Sequence, residues 1–412
     1  MFRRCALALG ALSMFTLAAC ESDEADVTGP PGSGALARYV AIGTSLSAGV
    51  QSQGLLYSTQ ARAWPALLAD QSFAPFEYPA IRGPGCAPPM IAPLQFGHLL
   101  SGVPIATGDA SCAALFPGIT LPTNNVAVPG ATTSAALSAT PASRTGFSAM
   151  LYARILPANE SQVSAMMDLD PTFVSVELGS NEVLTAATSG QVIPNATYTP
   201  PAVWEPVYTE VIDSVEATGA RALLVTVPLV SRIPSMRAGA ELWNARQQFL
   251  AFNIVVQGDC DGSTNLIFTP GLVLTKVAEA QAAAAQGQQA QLSCANGPVG
   301  PTPDFVLSPT EVQTLEAVVG DMNDHIASEA AANGYALLDA NEVLQQFIDE
   351  RPAFSLVTML TCSFPHGQYM SLDGVHPNGY GYQLVANAAA EALNEHYGFA
   401  LPTVALPAIP QC

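Results

Sequence analysis

The chain has 412 residues and a formal net charge of −20, with 33 acidic residues against 13 lysines and arginines. This excess of negative charge excludes nucleic acid and bare anionic surfaces as partners. After the N-terminal segment, no apolar run reaches the roughly 20 residues that a membrane span requires. We therefore expect one large folded domain outside the bilayer.

The first 19 residues have the three-part build of a secretory signal peptide. Arg3 and Arg4 precede an apolar run that ends in small residues. The last four letters of this segment, LAAC at 17–20, resemble the lipobox of bacterial lipoproteins, in which the cysteine is diacylated and becomes the new N-terminus. The resemblance implies lipidation at Cys20 and a place in the cell envelope. Glu21 favours the outer membrane, and an ordinary secretory signal cut nearby is the alternative.

Residues 20–36 are acidic at first and then rich in Gly, Pro and Ser. Such a composition buries too little apolar surface to order itself, so we expect a flexible tether. The folded domain is predicted over 37–398, and residues 399–412 are predicted to form a C-terminal tail.

Strand and helix patterns alternate through the predicted domain. Buried-strand patterns occur at 38–43, 124–130, 172–179, 220–230 and 335–340, and helical patterns at 61–71, 161–169, 203–220, 308–334 and 379–398. Strands separated by helices predict an α/β fold with a parallel sheet covered on both faces. Three stretches interrupt the alternation and are interpreted as insertions, near 82–122, 187–202 and 257–305.

Six cysteines remain after the signal peptide and Cys20 are set aside. An even number in an exported chain predicts disulfides, although the sequence alone permits many pairings. We expect pairing in chain order, between Cys86 and Cys112, Cys260 and Cys294, and Cys362 and Cys412. No Cys-x-x-Cys occurs, and no histidine stands at metal-ligand spacing from a cysteine, so no zinc site is expected.

Candidate catalytic residues follow the predicted strands, at the edge where sites form in such sheets. Ser45 follows the first strand, Gly130 the second and Asn181 the third, while Asp373 and His376 come just before the last helix. A serine hydroxyl needs a neighbouring base, for which imidazole is suited, and a carboxylate can hold that imidazole in the correct tautomer. The backbone N–H groups of Ser45 and Gly130 and the Asn181 amide are candidate donors to an oxyanion.

Four short segments resemble the conserved blocks of the SGNH hydrolases, also called GDSL esterases and lipases. The segments are GTSLSAG, NVAVPGA, GSNE and DGVHP, and the family letters fall in order on Ser45, Gly130, Asn181 and His376. The resemblance implies a flavodoxin-like three-layer α/β/α sandwich, cleavage of carboxylic esters, and no metal or organic cofactor. Thr44 and Glu182 depart from the family pattern, which has Asp at both positions.

Several alternatives stay open at this level. Asp373 could be only the start of a turn, with His376 acting in a dyad, and His366 is a rival base. The apolar stretches 87–105 and 227–236 could line an acyl groove or simply pack in the core. An exported esterase or lipase acting on small-molecule, lipid or glycan esters is expected. A glycan O-acetyl esterase and a non-catalytic binding lipoprotein are the alternatives, and the sequence leaves the oligomeric state open.

Overall fold

The computed structural model describes residues 29–300, 302–409 and 412. The predicted signal peptide, Cys20 and the first part of the predicted tether lie outside these residues. Within the described part of the chain, the search for a helix with the length and apolar character of a membrane span finds none.

Strands and α-helices occur throughout the described part of the chain. The strands are β1 Tyr39–Gly43, β2 Phe173–Glu177, β3 Arg221–Val225, β4 Met236–Ala238, β5 Ile254–Val256, β6 Leu266–Phe268, β7 Ala290–Leu292, β8 Val306–Leu307 and β9 Ala336–Leu338. The α-helices are α1 Ser45–Ala48, α2 Tyr57–Gln60, α3 Trp64–Ser72, α4 Thr133–Ser138, α5 Gly146–Ile155, α6 Gln162–Asp168, α7 Asn181–Ser189, α8 Pro201–Thr218, α9 Gly239–Asn244, α10 Arg246–Ala251, α11 Thr269–Ala284, α12 Pro309–Asn333, α13 Ala340–Asp349, α14 Leu356–Thr361 and α15 Gly379–Tyr397.

A parallel sheet in the order β1-β2-β3-β9 lies at the centre. Residues 124–128 run along the other side of β1 without forming a full strand, with Ala41 N–H donating to the Asn124 carbonyl at 2.9 Å and Val128 N–H to that of Gly43 at 3.2 Å. With this segment counted second in sequence, the spatial order is 2-1-3-4-5, which is the flavodoxin-like order. The predicted α/β fold with a parallel sheet is confirmed.

Alternate side chains of the sheet enter two different cores, as the pleat of a strand requires. On one face, Tyr39 and Phe173 pack with helices α3 and α15. On the other face, Val40 and Val174 pack with helices that include α6, α8 and α12. The strands are apolar on both faces because helices cover both sides, which gives the three layers of the sandwich.

Both ends of the described chain pack against the sandwich more closely than predicted. Ser33–Leu36, the last part of the predicted tether, form a 3-10 helix in which Leu36 is fully buried. In the predicted tail, Leu401 is buried and its N–H donates to Asn394 of α15 at 2.7 Å. The composition of these segments did not predict the apolar contacts that the two buried leucines make.

The insertions differ in how much regular structure they contain. Residues 257–305 hold β6, α11 and β7, and they share a separate apolar cluster with α10 and α14. Residues 82–122 are mostly irregular. Disulfides join Cys86 to Cys112, Cys260 to Cys294 and Cys362 to Cys412, so the pairing in chain order is confirmed.

Candidate active site

Ser45 begins the short helix α1 directly after β1. Thr44 caps the helix with its side chain, which accepts from Leu46 N–H at 3.4 Å. The chain turns here from strand to helix within two residues, and a side chain on Gly43 would come within 2.5 Å of the Ser47 hydroxyl. Ser45 therefore lies at the carboxyl edge of the sheet, between β1 and β2. In the 2-1-3-4-5 order these are the strands 1 and 3, between which the topological switch point lies.

The Ser45 hydroxyl and the side chains of His376 and Asp373 form a hydrogen-bonded chain. His376 Nε2 lies 2.9 Å from Ser45 Oγ, and His376 Nδ1 lies 2.7 Å from Asp373 Oδ2. The two contacts use opposite nitrogens of one imidazole. If Nδ1 carries the proton that it shares with Asp373, Nε2 is left free to accept the serine proton, which is the arrangement that activates a serine nucleophile.

Asp373 is 1% exposed and is held by several donors besides the imidazole. Its Oδ2 accepts Gln53 N–H at 2.7 Å, and its Oδ1 accepts the Ser371 hydroxyl at 3.0 Å and the backbone N–H groups of Val375 and His376 at 2.9 Å each. Burial alone would raise the pKa of Asp373. The charge and hydrogen bonds of His376 oppose this and hold the pKa well below the ordinary value, so Asp373 stays ionised.

The turn at 51–54 presents Gln53 N–H to the catalytic carboxylate. Ser52 and Gln53 both have left-handed backbone angles, with φ of 54° and 64°, between the paired residues Gln51 and Gly54. Residues other than glycine rarely adopt this backbone conformation, and each one costs about 1 kcal/mol or more of folding free energy. The Ser52 hydroxyl accepts Leu372 N–H at 3.2 Å, so the turn is anchored on the segment that carries Asp373.

Asn181 and Glu182, at the start of α7, hold the turn that contains Gly130. The Asn181 amide donates to the Ala131 carbonyl at 2.8 Å, and Glu182 Oε1 accepts Thr133 N–H at 2.6 Å. Gly130 has a φ of 77°, a conformation that glycine adopts readily. Asn181 lines the same cavity as Ser45 and His376, whereas Gly130 is absent from the described residues around it. The oxyanion role of the Gly130 N–H therefore stays a prediction.

Glu177, the last residue of β2, is a functional candidate that the sequence reasoning missed. Its carboxylate is 3% exposed and accepts the Thr44 N–H at 3.0 Å, the Thr44 hydroxyl at 2.9 Å, the Ser47 N–H at 3.3 Å and the Ser47 hydroxyl at 3.1 Å. The carboxylate thus binds both ends of the first turn that carries Ser45. An acid at the end of a strand that is predicted to be buried was the signal for it.

The Glu177 contacts explain why Thr44 is tolerated beside Ser45. The SGNH hydrolases usually have an acid at the position of Thr44, and in this chain Glu177 at the end of the neighbouring strand β2 places a carboxylate beside Thr44. Burial raises the pKa of Glu177 to about 7, although the donors on Thr44 and Ser47 oppose the rise. A hydroxyl at position 44 donates to this carboxylate, whereas a second carboxylate there would repel it.

His366, the rival base, lies beneath the Asp373 turn. It is 2% exposed, and a side chain on Gly374 would come within 3.0 Å of its ring. Burial, with a contribution from Arg237, lowers the pKa of His366 to about 4, so its ring is neutral. His376, not His366, contacts Ser45.

No model of a protein family matches the sequence, and no curated protein matches it. Among solved structures, the chain is similar to an alpha/beta hydrolase enzyme from the metagenome of Lake Arreo, Spain, with 13% identity over 86% of this chain and 93% of that chain and a TM-score of 0.37. It is also similar to a protein from Slackia heliotrinireducens whose description proposes an SGNH hydrolase, with 12% identity over 86% of this chain and 97% of that one and a TM-score of 0.33. At TM-scores this low, neither match bears on the chemistry, which rests on the geometry above.

Proposed function

We propose that the protein is a serine hydrolase of the SGNH type that cleaves carboxylic esters through an acyl-enzyme. The observation that carries this proposal is the continuous chain from Ser45 Oγ through both nitrogens of His376 to Asp373, with separations of 2.9 and 2.7 Å. The four sequence blocks supply the same residues in the order of that family.

The first half of the reaction forms the acyl-enzyme. Ser45 Oγ attacks the ester carbonyl while His376 Nε2 takes the hydroxyl proton, and the carbonyl oxygen becomes an oxyanion. The donors assigned to that oxyanion are the N–H groups of Ser45 and Gly130 and the amide of Asn181. His376 then gives its proton to the departing alkoxide as the tetrahedral intermediate collapses.

In the second half, His376 takes a proton from water as the water attacks the acyl-enzyme, and Ser45 recovers its proton when the carboxylic acid leaves. Asp373 remains ionised and steadies the imidazolium in both halves. Each step of this route uses only the side chains, the backbone and water.

Hydrolysis of nitrophenyl acetate tests the proposal. We expect Ser45→Ala to remove turnover to the level of buffer alone, whereas Ser138→Ala, at an exposed serine of α4, keeps the wild-type rate. Both variants must show the wild-type circular dichroism. Wild-type turnover in Ser45→Ala would refute the assignment.

We further propose that the mature protein is a lipoprotein of the bacterial cell envelope, anchored through a diacylated Cys20. The lipobox-like segment supports this, and three disulfides are typical of an oxidising compartment. Mass spectrometry of the mature N-terminus is the test. We expect a diacylated cysteine at the first position, and an unmodified Cys20 would remove the anchor.

A further inference from the structure

A cavity extends from Ser45 along the carboxyl edge of the central sheet. The space between its lining atoms, open solvent included, is about 900 Å³, and residues that follow all four strands of the sheet line it. The lining begins at Ser45 after β1, continues through Asn181 after β2 and Pro228 after β3, and ends at α13 after β9. One part of the cavity therefore leads away from the nucleophile across three strand intervals of about 4.8 Å each, while Trp64 and Tyr382 line another part beside α3 and α15.

The polar lining side chains gather mainly at the Ser45 end of this cavity. His376 and Asn181 are there, and Glu177, the single carboxylate among the described lining residues, is occupied by Thr44 and Ser47. Thr226 lies further along, but its hydroxyl already donates to Asp339 at 3.0 Å and accepts Ala340 N–H at 2.9 Å. Polar recognition is thus concentrated where the ester group would react.

The far end of the cavity is apolar. One face of α13 forms a wall there, because its inward residues recur at the three- and four-residue spacing of a helix, at Ala340, Val343, Leu344 and Phe347. The opposite wall comes from the segment after β3, with Val230 and Ile233. Apart from Ala340, these side chains are 3 to 6% exposed, so little of their apolar surface faces solvent.

This division selects between the substrate classes left open by the sequence. Sugar hydroxyls placed between these walls would lose their hydrogen bonds to water without replacement, which is costly. An alkyl chain would instead gain free energy with each methylene that leaves water. The stretch 227–236 contributes to the walls, whereas 87–105 is absent from the described lining residues.

Building on the proposed hydrolase function, we infer that this cavity binds the acyl chain of the substrate, which is an ester of a medium- or long-chain fatty acid. The carbonyl lies at Ser45, the alkyl chain runs past Pro228, and its end lies between α13 and Ile233. An acetyl group is too short to reach α13 and Ile233, so an acetyl ester makes no contact with these apolar walls.

A series of nitrophenyl esters from acetate to octanoate tests the inference. For the wild type we expect kcat/KM to rise by up to about fourfold per methylene until the cavity is filled, and by at least about tenfold from acetate to octanoate. Val343→Trp fills the cavity and should lower the ratio of octanoate to acetate turnover by at least about tenfold. Phe347→Ala enlarges it and should move the optimum to a longer chain.

Val203→Trp is the matched control, because this valine lies 53% exposed on the outer side of α8. We expect it to keep the wild-type chain-length profile. Efficient acetate hydrolysis with no gain toward octanoate, or profiles that Val343→Trp and Phe347→Ala both leave unchanged, would overturn the acyl cavity and leave the proposed hydrolase intact. No turnover of any ester by the wild type would overturn the proposed hydrolase itself, and the acyl-cavity inference with it.

Discussion

Two places in the described part of the molecule bring together a hydroxyl, an imidazole and a carboxylate. One is Ser45, His376 and Asp373 at the edge of the sheet. The other, between helices α8 and α12, consists of Thr209, His325 and Glu329, with His325 Nε2 3.0 Å from Thr209 Oγ1. We call these the edge cluster and the helix cluster. The residue types are nearly the same, but the order of the contacts differs.

In the helix cluster the carboxylate contacts the hydroxyl and not the far nitrogen of the imidazole. Thr209 donates its hydroxyl proton to Glu329 Oε1 at 2.6 Å, and the same oxygen lies 3.5 Å from His325 Nε2. The hydroxyl and the carboxylate therefore share one nitrogen, and no carboxylate among the described residues binds Nδ1 to fix the tautomer of the imidazole. Packing of the ring beside Trp204 and Tyr208 makes this cluster a contact between helices. Residue types alone do not make a nucleophile; the sequence of contacts does.

Removing the imidazole should give the largest difference in kcat between the two clusters. We expect His376→Ala to lower kcat for nitrophenyl acetate by about five orders of magnitude, since Ser45 loses its base. His325→Ala should change kcat less than twofold. Equal losses in the two variants, at matched circular dichroism, would contradict the distinction between the clusters.

Replacing the carboxylate of each cluster by an amide should give the next largest difference in kcat. Asp373→Asn should lower kcat by about four orders of magnitude, because an amide no longer holds Nδ1–H and the wrong tautomer forms. The loss should persist across the pH range in which the wild type is active. Glu329→Gln is the partner variant and should keep at least half of the wild-type kcat. A wild-type rate in Asp373→Asn would instead favour a Ser45–His376 dyad.

Asn181, the proposed oxyanion donor, has no counterpart among the described residues of the helix cluster. Asn181→Ala should lower kcat by about a hundredfold to a thousandfold with little change in KM, because the donor acts mainly on the charge that develops in the transition state. The Ala131 contact is also lost, so thermal unfolding of the variant must be compared with the wild type. An increase of KM at constant kcat would show that Asn181 serves binding only.

Glu177 lies beside the edge cluster and makes the stability of the protein depend on pH. Between pH 4.5 and about 7 the unfolded chain has lost the proton that folded Glu177 keeps, so the free energy of unfolding falls as the pH rises through this window. The difference in pKa corresponds to about 3 kcal/mol. Glu177→Gln should make this fall smaller in urea unfolding measured at pH 4.5 and 8, and the part that remains belongs to other buried acids such as Glu182, whose pKa burial also raises. The exposed Glu395→Gln should keep the whole fall, and an unchanged fall in Glu177→Gln would contradict the assignment.

The sequence predicted the central parallel sheet, apart from the segment 124–128 that forms no full strand, and it named the three residues that the structure brings together in the edge cluster. Apolar runs such as 172–179 are long enough to identify strands, and the residues after parallel strands must meet at one edge. Long-range contacts were not predictable: the Gln53 N–H that holds Asp373 depends on a left-handed turn of ordinary residues. Glu177 was missed because the strand signal describes apolar side chains and gives no reason to read a terminal acid as a partner of Thr44.

Covalent labelling by a fluorophosphonate probe, followed by mass spectrometry of the peptides, tests the central claim most directly. We predict one adduct, on Ser45, in the wild type and in Thr209→Ala, and none in Ser45→Ala or His376→Ala. An adduct on Thr209 or on any other residue in place of Ser45, or no adduct on the folded wild-type protein, would contradict the account.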